Sequence, residues 1–168
     1  MKANAGYNSP RIIAINTNKP NIDLKRIVSE FNSKYNPQPS VFVDKILDSK
    51  AVSNPNNFIG DTELFAISDK GSYSIRFTMD KTLNTNDVIV INILNAGKAD
   101  TVINVRSVSL DGINTFDNLK YDVPLTGEFQ IIEYTVQAND ISIEIIGANT
   151  VAGENYEPIQ LYKAYLKP

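Results

Sequence analysis

Three groups of side chains in this sequence have the chemistry to meet a ligand. Tyr121, Tyr156, Tyr162 and Tyr165 combine an apolar ring face with a polar tip, which suits stacking on the C–H face of a sugar, although tyrosine is also routine in β-sandwich cores. Glu128, Glu133, Glu144 and Glu157 alternate with apolar residues late in the chain, the placement of a solvated sheet face. Glycoside hydrolysis needs two carboxylates at a fixed separation in a cleft, so this scatter predicts no catalytic residue and a protein that is not an enzyme. The segment from Asp111 to Asn118 offers several oxygen ligands but lacks the spacing of a dedicated calcium loop, and Asp111-Gly112 is a common hairpin turn. No metal or cofactor is expected.

The absent residue types exclude more chemistry. The 168 residues contain no cysteine and no histidine, which removes disulfides, thiolate nucleophiles, imidazole proton transfer and most zinc sites. There is no glycine-rich phosphate loop, and Ser and Thr have no histidine partner for a hydrolase triad. Net charge is -3 with no run of Lys or Arg, so no nucleic-acid partner is expected. The start, Met1-Lys2-Ala3-Asn4, has no apolar stretch after its lysine, and no later stretch approaches the roughly 18 apolar residues of a membrane span. Synthesis in a host cytoplasm without a signal peptide, and no membrane partner, are the expectations.

The elements that must position these groups follow from periodicity. Leu24, Ile27, Val28, Phe31 and Tyr35 fall at helical spacing, with Asn21 or Asp23 as caps and Asn36-Pro37 as the stop. From Ser40 onward the period changes to two. Strands are predicted at 41–47, 58–67, 72–79, 87–94, 101–109, 113–121, 128–137, 140–147 and 157–166, separated by turns such as Asn54-Pro55 and Asp111-Gly112. In 72–79, Tyr73, Ile75, Phe77 and Met79 should face a core while Ser72, Ser74, Arg76 and Thr78 face water. In 87–94 both sides are apolar, so both need cover, and the helix stripe is predicted to pack on a sheet. The fold class is mostly β: an antiparallel jelly-roll sandwich (40–168) preceded by an extended arm (1–20) and one amphipathic helix with its linker (21–39).

The stretches Gly127–Ala138, Asp140–Gly147 and Pro158–Lys167, together with Gly71-Ser-Tyr-Ser-Ile-Arg-Phe77, resemble strands of galactose-binding-type jelly rolls such as carbohydrate-binding modules. That resemblance implies a sandwich with a glycan as partner and Tyr121, Tyr156 and Tyr162 as its contacts. The leading segment points elsewhere. Ordering some 20 residues costs about 20–40 kcal/mol, while burying Tyr7, Ile12, Ile13 and Ile15 returns only about 1.5–3 kcal/mol each. Strand addition by residues 11–15 to an open sheet edge would supply the missing bonds. With its Asn, Lys and Ile richness, the chain is similar to bacteriophage virion proteins. The resemblance implies a multi-copy or homo-oligomeric auxiliary capsid or head-appendage protein, located in the virion, with other virion proteins as partners and Tyr7, Ile12, Ile13, Ile15, Leu24, Ile27 and Phe31 as assembly contacts. Carbohydrate binding is the alternative function.

Overall fold

Strand alternation and turn chemistry build two sheets. The computed structural model describes residues 24–34, 38–69, 71–95, 101–123, 128–149, 151–152, 155–156 and 159–168. One helix, α1 (Leu24–Lys34), precedes the strands β1 (Val43–Lys50), β2 (Val52–Ser53), β3 (Ala66–Ser68), β4 (Gly71–Met79), β5 (Val88–Asn95) and β6 (Thr101–Ser109). Then come β7 (Thr115–Val123), β8 (Phe129–Thr135), β9 (Ile141–Asn149), β10 (Val151–Ala152), β11 (Asn155–Tyr156) and β12 (Ile159–Leu166). Sheet I has the order β1-β4-β9-β6-β7 and sheet II the order β2-β3-β12-β5-β8, while β10 and β11 form a separate hairpin. Every pairing is antiparallel, so the chain is a β-sandwich with one short helix.

The core lies between the sheets. Tyr73, Ile75, Phe77 and Met79 of β4 and Ile141, Ile143 and Ile145 of β9 are buried against Ile89, Ile91 and Ile93 of β5. Phe58 joins them with its ring edge-on to Phe77, centroids 5.3 Å apart. Tyr134 and Ser107 bond across the core at 2.7 Å, tying β8 of one sheet to β6 of the other.

Strand β5 is buried on both sides, as its composition requires. Its outward Val90, Asn92 and Leu94 are no more exposed than its inward isoleucines. Part of the cover is α1, whose Ile27 and Val28 are buried and whose Phe31 packs with Phe65, Ile67, Leu94, Phe129 and Tyr162. Ile27 and Phe31, named above among the assembly contacts, pack on the chain's own sheet II, as the helix stripe was predicted to pack on a sheet. Tyr7, Ile12, Ile13 and Ile15, the helix caps, the helix stop and the Leu24 side chain lie outside the described residues.

The segment 58–67 departs from expectation, because only Ala66–Ser68 pairs as a strand. Asn54 adopts a left-handed conformation (φ 53°) and Pro55–Phe58 forms a 3-10 turn. The following loop is knitted by Asn57 Nδ2 to the Phe65 carbonyl (3.0 Å) and Thr62 Oγ1 to the Asn57 carbonyl (3.1 Å). Its two aromatics enter different clusters, Phe58 the inter-sheet core and Phe65 the layer under α1. Apolar residues anchoring a loop at both ends imitate a strand in sequence.

Tyr73 stands opposite Gly147 in the β4–β9 ladder, and a Cβ on Gly147 would fall within the van der Waals radius of the phenol. Gly147→Ala should therefore lose about 1–3 kcal/mol of stability in urea unfolding. The Tyr73 hydroxyl is buried without a hydrogen-bond partner, and burial raises its pKa above the usual value near 10. Above about pH 10 the unfolded chain releases this proton first, so stability should fall with rising pH. Tyr73→Phe should abolish that share of the fall and leave stability at neutral pH unchanged or higher, measured by urea unfolding at neutral and alkaline pH.

Candidate functional site

The outward positions of sheet I carry polar groups in register. One row across the sheet runs Asp48 (β1), Arg76 (β4), Glu144 (β9), Arg106 (β6) and Asn118 (β7). Arg106 places both Nε and Nη2 at 2.8 Å from Glu144 Oε1, with the Arg106 and Glu144 side chains 30% and 13% exposed. Arg76 Nη1 donates to the Leu110 carbonyl and to Ser142 Oγ, each at 3.3 Å, and Ser142 Oγ donates to the Val108 carbonyl at 2.9 Å. The next row runs Ser74, Ile146, Asn104 and Lys120. Asn104 Oδ1 has no hydrogen-bond partner. Val102, on the same side of β6 as Asn104, is 42% exposed.

The β6–β7 hairpin supports this face. Asp111 Oδ1 accepts from Ser109 Oγ (2.5 Å) and from the Ile113 amide (3.0 Å), and Asn114 donates its amide to Ser109 Oγ (2.9 Å). Those donors hold the Asp111 carboxyl below its ordinary pKa, the Ser109 bond contributing most. Gly112 sits at φ 83°, and a Cβ there would lie 3.2 Å from Arg76 Nη2. The turn thus needs glycine twice over, for its backbone and to admit the Arg76 guanidinium. Asp111 Oδ1 is engaged within the turn, and among the described residues no group of three or more Asp, Glu, His or Cys could hold a metal ion.

Of the tyrosines chosen from sequence, the three whose side chains are described do not form a platform. Tyr162 is 1% exposed, its ring centroid 5.1 Å from that of Phe129 and 5.3 Å from that of Phe65 and with Lys163 Nζ 4.6 Å from it, so no sugar reaches this ring while α1 is docked. Tyr165 is also buried, with its ring 6.3 Å from that of Phe42. Tyr121 is half-buried and donates its hydroxyl to the Glu133 carbonyl (2.8 Å), joining edge strands β7 and β8; burial is the main cause of its raised pKa. The Tyr156 side chain lies outside the described residues. Glu133 and Glu144 lie on opposite sheets and pair with Lys167 (3.1 Å) and Arg106 respectively. The sequence reading set Arg76 correctly on the wet side of β4 but did not single out Arg76, Arg106 or Asn104 as ligand contacts. Their only signal was an outward position on an alternating strand, and the row appears once three strands are in register.

No protein-family model and no curated protein sequence matches the chain. Its fold does match solved structures. The C-terminal domain of a chitobiase from Bacteroides fragilis superposes with a TM-score of 0.50 at 14% identity, covering 73% of this chain and 91% of that one. The CBM32-3 module from a family 31 glycoside hydrolase of Clostridium perfringens gives 0.50 at 15% identity, covering 76% and 90%. A chain in the complex of reduced XRCC1 with the DNA polymerase β catalytic domain gives 0.54 at 9% identity, covering 77% and 99%. These likenesses establish the fold. It is the antiparallel β-sandwich expected from the sequence, and nothing in these likenesses supports a virion role.

Gly112→Ala should strain the hairpin and displace Arg76, lowering stability by about 1–2 kcal/mol in urea unfolding. Gly60, also at positive φ (77°) but with open space around a Cβ, should lose less on the same substitution, since only the backbone term applies.

Proposed function

We propose that this chain is a non-catalytic glycan-binding module whose site is the outer face of sheet I around Arg76, Asn104, Arg106 and Glu144. The observation that carries this reading is the fixed polar row itself. Sugar hydroxyls both donate and accept; guanidinium groups donate and the Glu144 carboxylate accepts. All four residues stand on strands, which hold side chains more rigidly than loops do and so reduce the entropy lost on binding. Val102 and Ile146 beside Asn104 give apolar contact for ring C–H groups. The sandwich shared with CBM32-3 and the chitobiase domain makes a glycan the natural ligand class, by analogy of fold.

This reading replaces the virion assignment as the leading one. The assembly argument rested on the first 20 residues, which lie outside the described structure, and on Ile27 and Phe31, which pack on the chain's own sheet.

A printed glycan array should give signal with the wild-type chain. Arg106→Ala and Glu144→Gln should each weaken binding to the selected glycan at least tenfold, while unfolding free energies fall by about 1–2 kcal/mol, more than for a fully exposed pair because the side chains are only 30% and 13% exposed. An array without signal, or variants that bind as well as wild type, would sink the reading.

A further inference from the structure

The floor beneath α1 does not match its cover. Across sheet II, Ile67, Gln160, Leu94 and Phe129 stand in one row, with Gln160 at its middle. Gln160 is fully buried, and neither its Nε2 nor its Oε1 has a hydrogen-bond partner. In the next row Asn92, 1% exposed, has an unpartnered Nδ2, and the Tyr162 hydroxyl is likewise buried and unbonded. Among the described side chains, those α1 packs into this layer are Ile27, Val28 and Phe31, none of which can donate or accept. Burying an amide without partners is strongly unfavourable, and an aliphatic residue at 160 would serve helix packing better. The same floor carries aromatic rings: Phe65 and Phe129 lie stacked with centroids 6.1 Å apart, and Tyr162 is within 5.3 Å of both.

Rings flanking free amide donors and acceptors are what a sugar recognises: apolar faces for its C–H groups and amides for its hydroxyls. We propose that the outer face of sheet II under α1 is a second saccharide-binding surface, with Gln160 and Asn92 as its hydrogen-bonding floor, Phe65, Phe129 and Tyr162 as its stacking rings and α1 as a displaceable cover. The inference rests on the glycan reading above. A helix of 11 residues is marginal on its own in water, so α1 depends on docking through its apolar side chains and can give way to a better-matched occupant.

The test uses the full chain on an array of neutral mono- and oligosaccharides, comparing wild type, the Ile27→Ala/Phe31→Ala double variant, that variant with Gln160→Leu added, and Arg106→Ala. Loosening the helix should raise binding of at least one saccharide tenfold or more. Adding Gln160→Leu should remove that gain, whereas Arg106→Ala, which addresses sheet I, should weaken only the binding the wild type already shows. No gain on loosening the helix, or a gain that Gln160→Leu leaves intact, overturns the proposal; wild-type binding lost in Arg106→Ala would meanwhile keep the sheet I reading standing. Should the double variant not fold, the single Phe31→Ala variant with and without Gln160→Leu takes its place on the same array: a gain that Gln160→Leu removes is expected, and no gain, or one that Gln160→Leu leaves intact, overturns the proposal.

Discussion

Strand β5 cannot face water on either side, and that constraint decides which surface of the sandwich is available. Ile89, Ile91 and Ile93 fill the space between the sheets, while Val90, Asn92 and Leu94 on the reverse are buried as well. An antiparallel sandwich ordinarily leaves the outer face of each sheet wet. Here sheet II has lost that face to cover, α1 supplying part of it. Among the described residues sheet I keeps its outer face, and there the alternating positions hold Ser74, Arg76, Asn104, Arg106 and Glu144, with Val102 and Ile146 beside them.

The two faces differ in how well their polar groups are satisfied. On sheet I the charged side chains are mostly tied: Arg106 to Glu144, Arg76 to the hairpin carbonyl and Ser142, and the hairpin in turn to Asp111. Rigid side chains of this kind present a preformed surface. On sheet II the Gln160 amide and Asn92 Nδ2 are buried and go unused, while the described α1 residues packed on this face are apolar. Between the faces, bonds from Tyr134 to Ser107, Tyr121 to the Glu133 carbonyl and Asn95 to the Val123 carbonyl fix the sheets against each other. The sandwich is therefore a stiff body with one open polar face and one poorly matched covered face.

Most strands were legible because alternation is strong where one side is wet. In β4, Tyr73, Ile75, Phe77 and Met79 are buried as their spacing predicts, and β6 spans 101–109 as read. The helix stripe was legible for the same reason. Segment 58–67 was not, since Phe58 and Phe65 are apolar for two unrelated purposes. The proposed binding face was the least legible part. Tyrosine suggested a sugar platform, yet Tyr73, Tyr134, Tyr162 and Tyr165 fill interior volume. Arg76, Glu144 and Arg106 are separated by 68 and 38 positions in the chain and meet only through strand order β4-β9-β6, which no local pattern announces.

The central claim is that the uncovered face of sheet I receives the ligand. Titrating the isotope-labelled chain with the glycan an array selects, and following backbone amide shifts by two-dimensional NMR, tests it most directly. The account predicts that the largest shifts fall on residues 74–76, 104–106 and 142–146. Shifts confined to loops away from that face, or absent at saturating glycan, would contradict it.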